Sequence, residues 1–248
     1  MYFIRQIYRK LFCQKGYGVH SPFVFDLITS VIEEKCAFYS FHDFVRIRQQ
    51  LSQNKQFVRY RGKRISVKKA LQRDCISKKE GEFLFRLTNH YKPQTILSVG
   101  SSLGLAPLCL SKYASSVRCV TLENEPDFAD IAIHVLNNET NLSLPIRTGN
   151  YRKTIPEAIE ELQRIDCIFI EKDVEISDLN VIFSTCLPFT HDNTCCIWAG
   201  IRSTSEKYHY WKRIYQHPSV TVAVDLYHLG LLFLQPKLHK RVYKTILP

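Results

Sequence analysis

The chain has 248 residues, 45% of them hydrophobic, which suits one large domain, or one domain with an appendage, around a sizeable core. Its nine cysteines are scattered, mostly beside apolar residues and without a C-x-x-C pair, which argues against a disulfide framework or zinc site and for reduced thiols in a cytoplasmic protein. No run of about 18 apolar residues occurs, so no membrane span is expected, and the N-terminus lacks the long apolar core of a signal peptide. The net charge of +11 is localised: Arg46 to Lys79 holds twelve Lys or Arg and one acid, Asp74, while the remainder balances at 22 against 22.

Residues 1–12 place Phe3, Ile4, Ile7, Tyr8 and Leu11 on one helical face, with Arg5, Arg9 and Lys10 elsewhere. Such a helix either docks on its own domain or lies on an anionic membrane. Ser21 before Pro22 has the form of a helix start. His20, just ahead of it, either lines a cleft or packs at the turn. Helical spacing returns over 41–51 and 66–71. Between them Arg59-Tyr60-Arg61-Gly62-Lys63-Arg64 mixes an aromatic with charge around a turn glycine. This basic stretch reads three ways: a phosphate-contacting patch for nucleic acid, a solvated flap, or a surface for an acidic substrate.

From residue 80 an α/β alternation sets in, dividing the chain into an N-terminal helical and basic extension, 1–79, and a sheet domain, 80–248. The expected strands are 95–99, 117–122, 144–148, 166–170, 195–198, 220–225 and 231–234. Helices fall at 80–91, 105–113, 126–136, 155–162, 178–187 and 205–215. This predicts a doubly wound, mostly parallel seven-stranded sheet whose last two strands form an antiparallel hairpin across His228-Leu229-Gly230. The first strand is a buried apolar run that ends in Gly100-Ser101-Ser102-Leu103-Gly104. Gly100 permits a sharp turn and close approach of a ligand to bare backbone, and Gly104 lets the next helix lie close. Glu123, at the tip of the second strand, has the chemistry to accept from both hydroxyls of a ribose diol; it also reads as a helix-entry charge ahead of Pro126. Gly149-Asn150 ends the third strand, and Asn150 offers an amide oxygen or simply a turn.

The G-x-x-x-G spacing lacks the middle glycine of a pyrophosphate-binding turn, which with the terminal hairpin opposes a nicotinamide-dependent oxidoreductase. The turn resembles the first motif of class I S-adenosylmethionine-dependent methyltransferases, and Tyr17-Gly18-Val19-His20-Ser21-Pro22-Phe23-Val24-Phe25-Asp26-Leu27-Ile28-Thr29 resembles the opening of a group of bacterial O-methyltransferase-like proteins. The resemblance implies a Rossmann-like fold, S-adenosylmethionine as cofactor, a small-molecule acceptor, and cofactor contacts from Ser98, Gly100, Ser101, Ser102, Gly104, Glu123 and Asn150. It also implies a catalytic carboxylate at Glu171, where the family reads Phe-Ile-Asp and this chain reads Phe169-Ile170-Glu171. Two departures stand out. Ser98 replaces the acid that opens the family's first motif. Trp198-Ala199-Gly200-Ile201 replaces the acidic pair that completes the family's metal site, so no metal is expected. These departures keep open an alternative: a catalytically degenerate member that binds an anionic partner through its basic segment.

Overall fold

The structure, a computed structural model, describes residues 8, 9, 16, 18–139 and 144–248. The helix expected over 1–12 lies outside the described residues except for Tyr8 and Arg9. Ser21 caps α1 (Pro22–Asp26) by accepting the Val24 N–H, and the helix runs on as a π-helical turn, Leu27–Ile32. Next come α2 (Tyr39–Gln53), the hairpin β1 (Phe57–Tyr60) and β2 (Lys63–Ser66), and α3 (Val67–Arg73). The helix α4 (Lys78–Tyr91) opens with a capping box in which Ser77 accepts from Glu80 and Glu80 accepts from Ser77. The α/β alternation follows as β3 (Thr95–Val99), α5 (Leu105–Ser111), β4 (Arg118–Glu123), α6 (Pro126–Glu139), β5 (Ile146–Thr148), α7 (Tyr151–Leu162), β6 (Cys167–Ile170), α8 (Ile176–Cys186), β7 (Cys195–Ala199), α9 (Ser205–Ile214), β8 (Val222–Asp225), β9 (Leu229–Phe233) and β10 (Arg241–Lys244).

The main sheet has the order β10-β8-β9-β7-β6-β3-β4-β5. Every pairing is parallel except those of β9, which lies antiparallel between β7 and β8. The seven expected strands are present with the terminal hairpin. An eighth, β10, adds to the edge through β8; its short and mostly exposed Arg-Val-Tyr-Lys run carries little apolar signal.

Alternation within the strands sends side chains to two covered faces. Ile96, Cys119, Phe169, Ile197 and Leu231 meet α1, α2, α4 and α5, while Leu97, Val99, Leu122, Ile168 and Ile170 meet α7, α8 and α9. The N-terminal segment does not stand apart from the sheet. Val24, Leu27, Ile47, Leu71 and Ile76 share one core with Phe83, Ile96 and Phe169. A buried ion cluster ties the same end down: Asp225 accepts from Arg9 at 2.8 Å and from Arg202 at 2.7 Å, and both guanidiniums lie over the Tyr227 ring.

A second feature not foreseen from the sequence is the β1–β2 hairpin. Its two-residue turn, Arg61-Gly62, has positive φ at both positions (50° and 72°), the mirror-image turn whose twist suits a two-residue hairpin. Val58, Tyr60 and Ile65 face inward and are buried, whereas Phe57, Arg59 and Arg64 face outward.

Candidate active-site crevice

The turn after β3 bends at the carboxyl end of the sheet, where its order reverses between β3 and β6, the place where open α/β sheets hold ligands. Gly100 and Gly104 both have φ +91°, and between them Ser102 (48°) and Leu103 (56°) are also left-handed. Each non-glycine residue in that region costs about 1–2 kcal/mol, and such strain gathers where a backbone shape is needed. Leu103 is fully buried, which anchors the bend. A Cβ on Gly104 would stand 3.1 Å from Val135, so glycine lets α5 and α6 close together.

Both acids expected here point into the bend. Glu123 is 3% exposed, and its Oε2 accepts the Ser101 N–H at 3.0 Å and the Ser101 hydroxyl at 2.6 Å. Its Oε1 accepts the Glu125 N–H at 3.1 Å. Burial, then repulsion from Asp173, pushes the Glu123 carboxyl up to about 7 against these stabilising bonds. Glu171, at the end of β6, accepts the Ser102 hydroxyl, which in turn accepts the Ile76 N–H at 3.2 Å. Burial and the neighbouring Asp173 raise the Glu171 carboxyl well above the usual carboxylate range. Its side chain lies against the bend: a Cβ on Gly100 would stand 2.4 Å from the Glu171 Cβ.

The structure therefore gathers Gly100, Ser101, Ser102, Gly104, Glu123 and Glu171 into one group. Two other expected site residues are spent locally. Ser98 is fully buried, and its hydroxyl donates to the Gly100 carbonyl at 3.1 Å, bracing the bend from below. Asn150 caps α7, its side chain accepting from the Arg152 N–H at 2.9 Å. His20 is exposed and is not among the residues that line the cleft described next.

The hairpin lies over this end of the sheet. Asp127 and Glu125 accept the Arg59 and Arg61 backbone N–H groups at 2.6 and 3.0 Å, latching the β1 edge to the start of α6. The Tyr60 ring packs on Phe128 at 5.3 Å, its hydroxyl reaches Asp173 at 3.4 Å, and Arg61 donates to the Asp173 carbonyl at 2.6 Å. Between hairpin and sheet is a cleft of about 510 Å³, lined by Tyr60, Arg61, Lys63, Lys172, Asp173 and Lys207 among others. Lys207 is largely buried and donates to the Lys172 carbonyl; burial lowers its ammonium. Neither the Lys207 position nor the Tyr60 contact carried a signal in the sequence, although the Arg61-Gly62 turn between two alternating runs did carry one for the hairpin.

After β7, Gly200 packs on Lys172, where a Cβ would fall 2.4 Å from that side chain. No carboxylate stands there, and among the described residues no group of three or more His, Cys, Asp or Glu could hold a metal ion. None of the helices among the described residues is long and apolar enough to cross a membrane.

No family model and no curated protein sequence matches the chain. Solved structures do. Cofactor-bound Rv0187 from MTB superposes with a TM-score of 0.61 at 16% identity, over 77% of this chain and 89% of that one. The O-methyltransferase from Bacillus cereus in complex with SAH gives 0.56 at 17% identity, over 94% of this chain and 100% of that one. The O-methyltransferase TomG from Streptomyces achromogenes in complex with SAM gives 0.55 at 14%, over 86% and 95%. The fold is thus the Rossmann-like methyltransferase fold that the glycine turn and terminal hairpin implied.

Proposed function

We propose that this chain is an S-adenosylmethionine-dependent methyltransferase directed at a hydroxyl of a small-molecule acceptor, acting in the cytoplasm. One observation carries the reading: a strained glycine turn at the sheet's reversal point, with the Glu123 carboxyl aimed into it from the neighbouring strand. The residue types suit the cofactor. Glu123 is the acceptor for a ribose diol, since the Ser101 hydroxyl that now occupies it is a like donor that can exchange. The left-handed bend from Gly100 to Gly104 is the approach for the amino-acid tail, on the side not taken by Glu171 and Val135. Asn150 stands at the end of β5 for the base, its oxygen shared with its helix cap. The group supplies an activated methyl on a sulfonium, whose charge vanishes as the new bond forms. The chain's part is alignment and removal of the acceptor proton. Glu171 is the base candidate, because its carboxyl stands at the end of β6 beside the bend, where burial makes its deprotonated form a strong proton acceptor. The cleft beside Tyr60 and Lys207 is large enough for a small acceptor. The buried free thiols suit a reducing compartment.

A specific observation favours a second reading, a scaffold that keeps the fold without the reaction. Ser101 and Ser102 already satisfy both carboxyls, and the Glu171 Cβ lies against Gly100, so binding requires the hydroxyls to let go. Calorimetry with S-adenosylhomocysteine separates the two. Micromolar binding that Glu123→Ala abolishes, with a matching rise in melting temperature for the unmodified chain only, is the expected result. No heat at millimolar ligand leaves the scaffold.

A further inference from the structure

Four of the twelve basic residues between Arg46 and Lys79, namely Arg59, Arg61, Lys63 and Arg64, stand on the β1–β2 hairpin, and its outward face has an unusual make-up. Arg59 and Arg64 stand directly opposite each other across the strands, a like-charge pairing that works against the hairpin. Beside them Phe57 is 57% exposed, with the Arg64 guanidinium 4.7 Å over its ring. Lys55 precedes the face, and Lys68 and Lys69 follow it at the start of α3, all exposed. Four carboxylates meet the hairpin: Glu125 and Asp127 on the β1 backbone edge, and Asp173 and Glu175 at Tyr60 and Arg61. Among the described residues none forms an ion pair with the side chains of Lys55, Arg59, Arg64, Lys68 or Lys69.

We propose that this outward face binds single-stranded nucleic acid, with phosphates between Arg59 and Arg64 and a base stacked on the Phe57–Arg64 pair. The charge complements a polyanion, and a phosphate between the two guanidiniums removes their mutual repulsion. An exposed aromatic topped by a guanidinium extends naturally into a stack with an unpaired base. A membrane surface fits less well, because Phe57 is the one large hydrophobic side chain that the hairpin exposes. The inference does not rest on methyl transfer, and its test needs no methyl donor.

The test is fluorescence anisotropy of the full chain with a labelled oligouridylate of about twelve nucleotides, a length within the usual site size. Binding is expected to weaken by roughly 20- to 130-fold between about 50 and 200 mM salt, the range for three to five neutralised phosphates on a single strand. The double variant Arg59→Ala/Arg64→Ala should make the slope of log affinity on log salt shallower by about 1.4. Phe57→Ala should weaken binding about fivefold or more and leave that slope unchanged. The substituted side chains face solvent, so all variants should melt with the unmodified chain, which shows that they remain folded. Absence of binding at low salt overturns the proposal, as does binding that neither variant alters. An effect of the charge variant alone reduces the face to a general polyanion surface and also overturns it. Capture by phosphatidylserine vesicles with no response to the oligonucleotide assigns the face to a membrane instead.

Discussion

Glu123 shows how burial and hydrogen bonding compete at a single carboxyl. Desolvation favours its neutral form, three donors favour the charged form, and desolvation wins, so its folded value of about 7 stands above the ordinary 4.5. The folded state therefore binds more protons than the unfolded state in that interval. Its contribution to stability is complete below about pH 4.5 and is lost as pH rises through 7, by up to about 3 kcal/mol at 1.36 kcal/mol per unit. Urea unfolding from pH 4.5 to 8 should show stability falling, and Glu123→Gln, which cannot ionise, should flatten part of that slope. A variant with the same slope as the parent would show that this carboxyl does not titrate there. Asp225 runs the opposite way. Burial would raise it, yet hydrogen bonds from Arg202 and Arg9 outweigh that and hold it at about 2, so its contribution persists until strong acid.

At the level of elements, the β1–β2 hairpin is a short ribbon that gains its stability by being latched down, since two strands alone are marginal. The latches are the Asp127 carboxylate on the outer Arg59 N–H of β1 and the Glu125 carboxylate on the Arg61 N–H of the turn. They also blunt an edge that would otherwise offer free donors to another chain. Replacing both, Glu125→Ala/Asp127→Ala, should raise the amide hydrogen exchange of Arg59 and Arg61 by tenfold or so, the change expected for roughly 1.4 kcal/mol of lost charge-assisted bonding. Exchange in β3 and β6 should not change. Unaltered protection at Arg59 and Arg61 would mean that the Tyr60–Phe128 packing and the Tyr60 and Arg61 bonds to Asp173 hold the ribbon.

Across the whole molecule, residues 22–79 are woven into the core on one face of the sheet. Leu27 is fully buried in the cluster that contains Phe83, Ile96 and Phe169. Leu27→Ala should cost about 2–5 kcal/mol through lost burial and the cavity left behind. In a chain of this size that lowers the melting temperature by roughly 5–15 °C. The loss should appear in one transition that includes the sheet. A separate early transition, with the sheet's melting unmoved, would show that the N-terminal segment folds as an appendage.

The sequence by itself determined the order and type of seven strands of the main sheet and of the helices between them, because buried strands need apolar runs and turn residues bound them. Gly100, Gly104 and Glu123 were legible for the same reason: local backbone geometry and a strand tip are properties of neighbours in the chain. Ser98 and Asn150 show the limit, since their side chains close on the Gly100 carbonyl and the Arg152 N–H. Only the tertiary structure decided that Glu171 would lie against Gly100, that Tyr60 would reach Asp173, and that the β1–β2 ribbon would lie over the crevice. Those contacts join residues about 70 or more positions apart. Their geometry follows from how the layers pack and from which buried carboxyl finds which donor, and no local pattern of side chains encodes that choice.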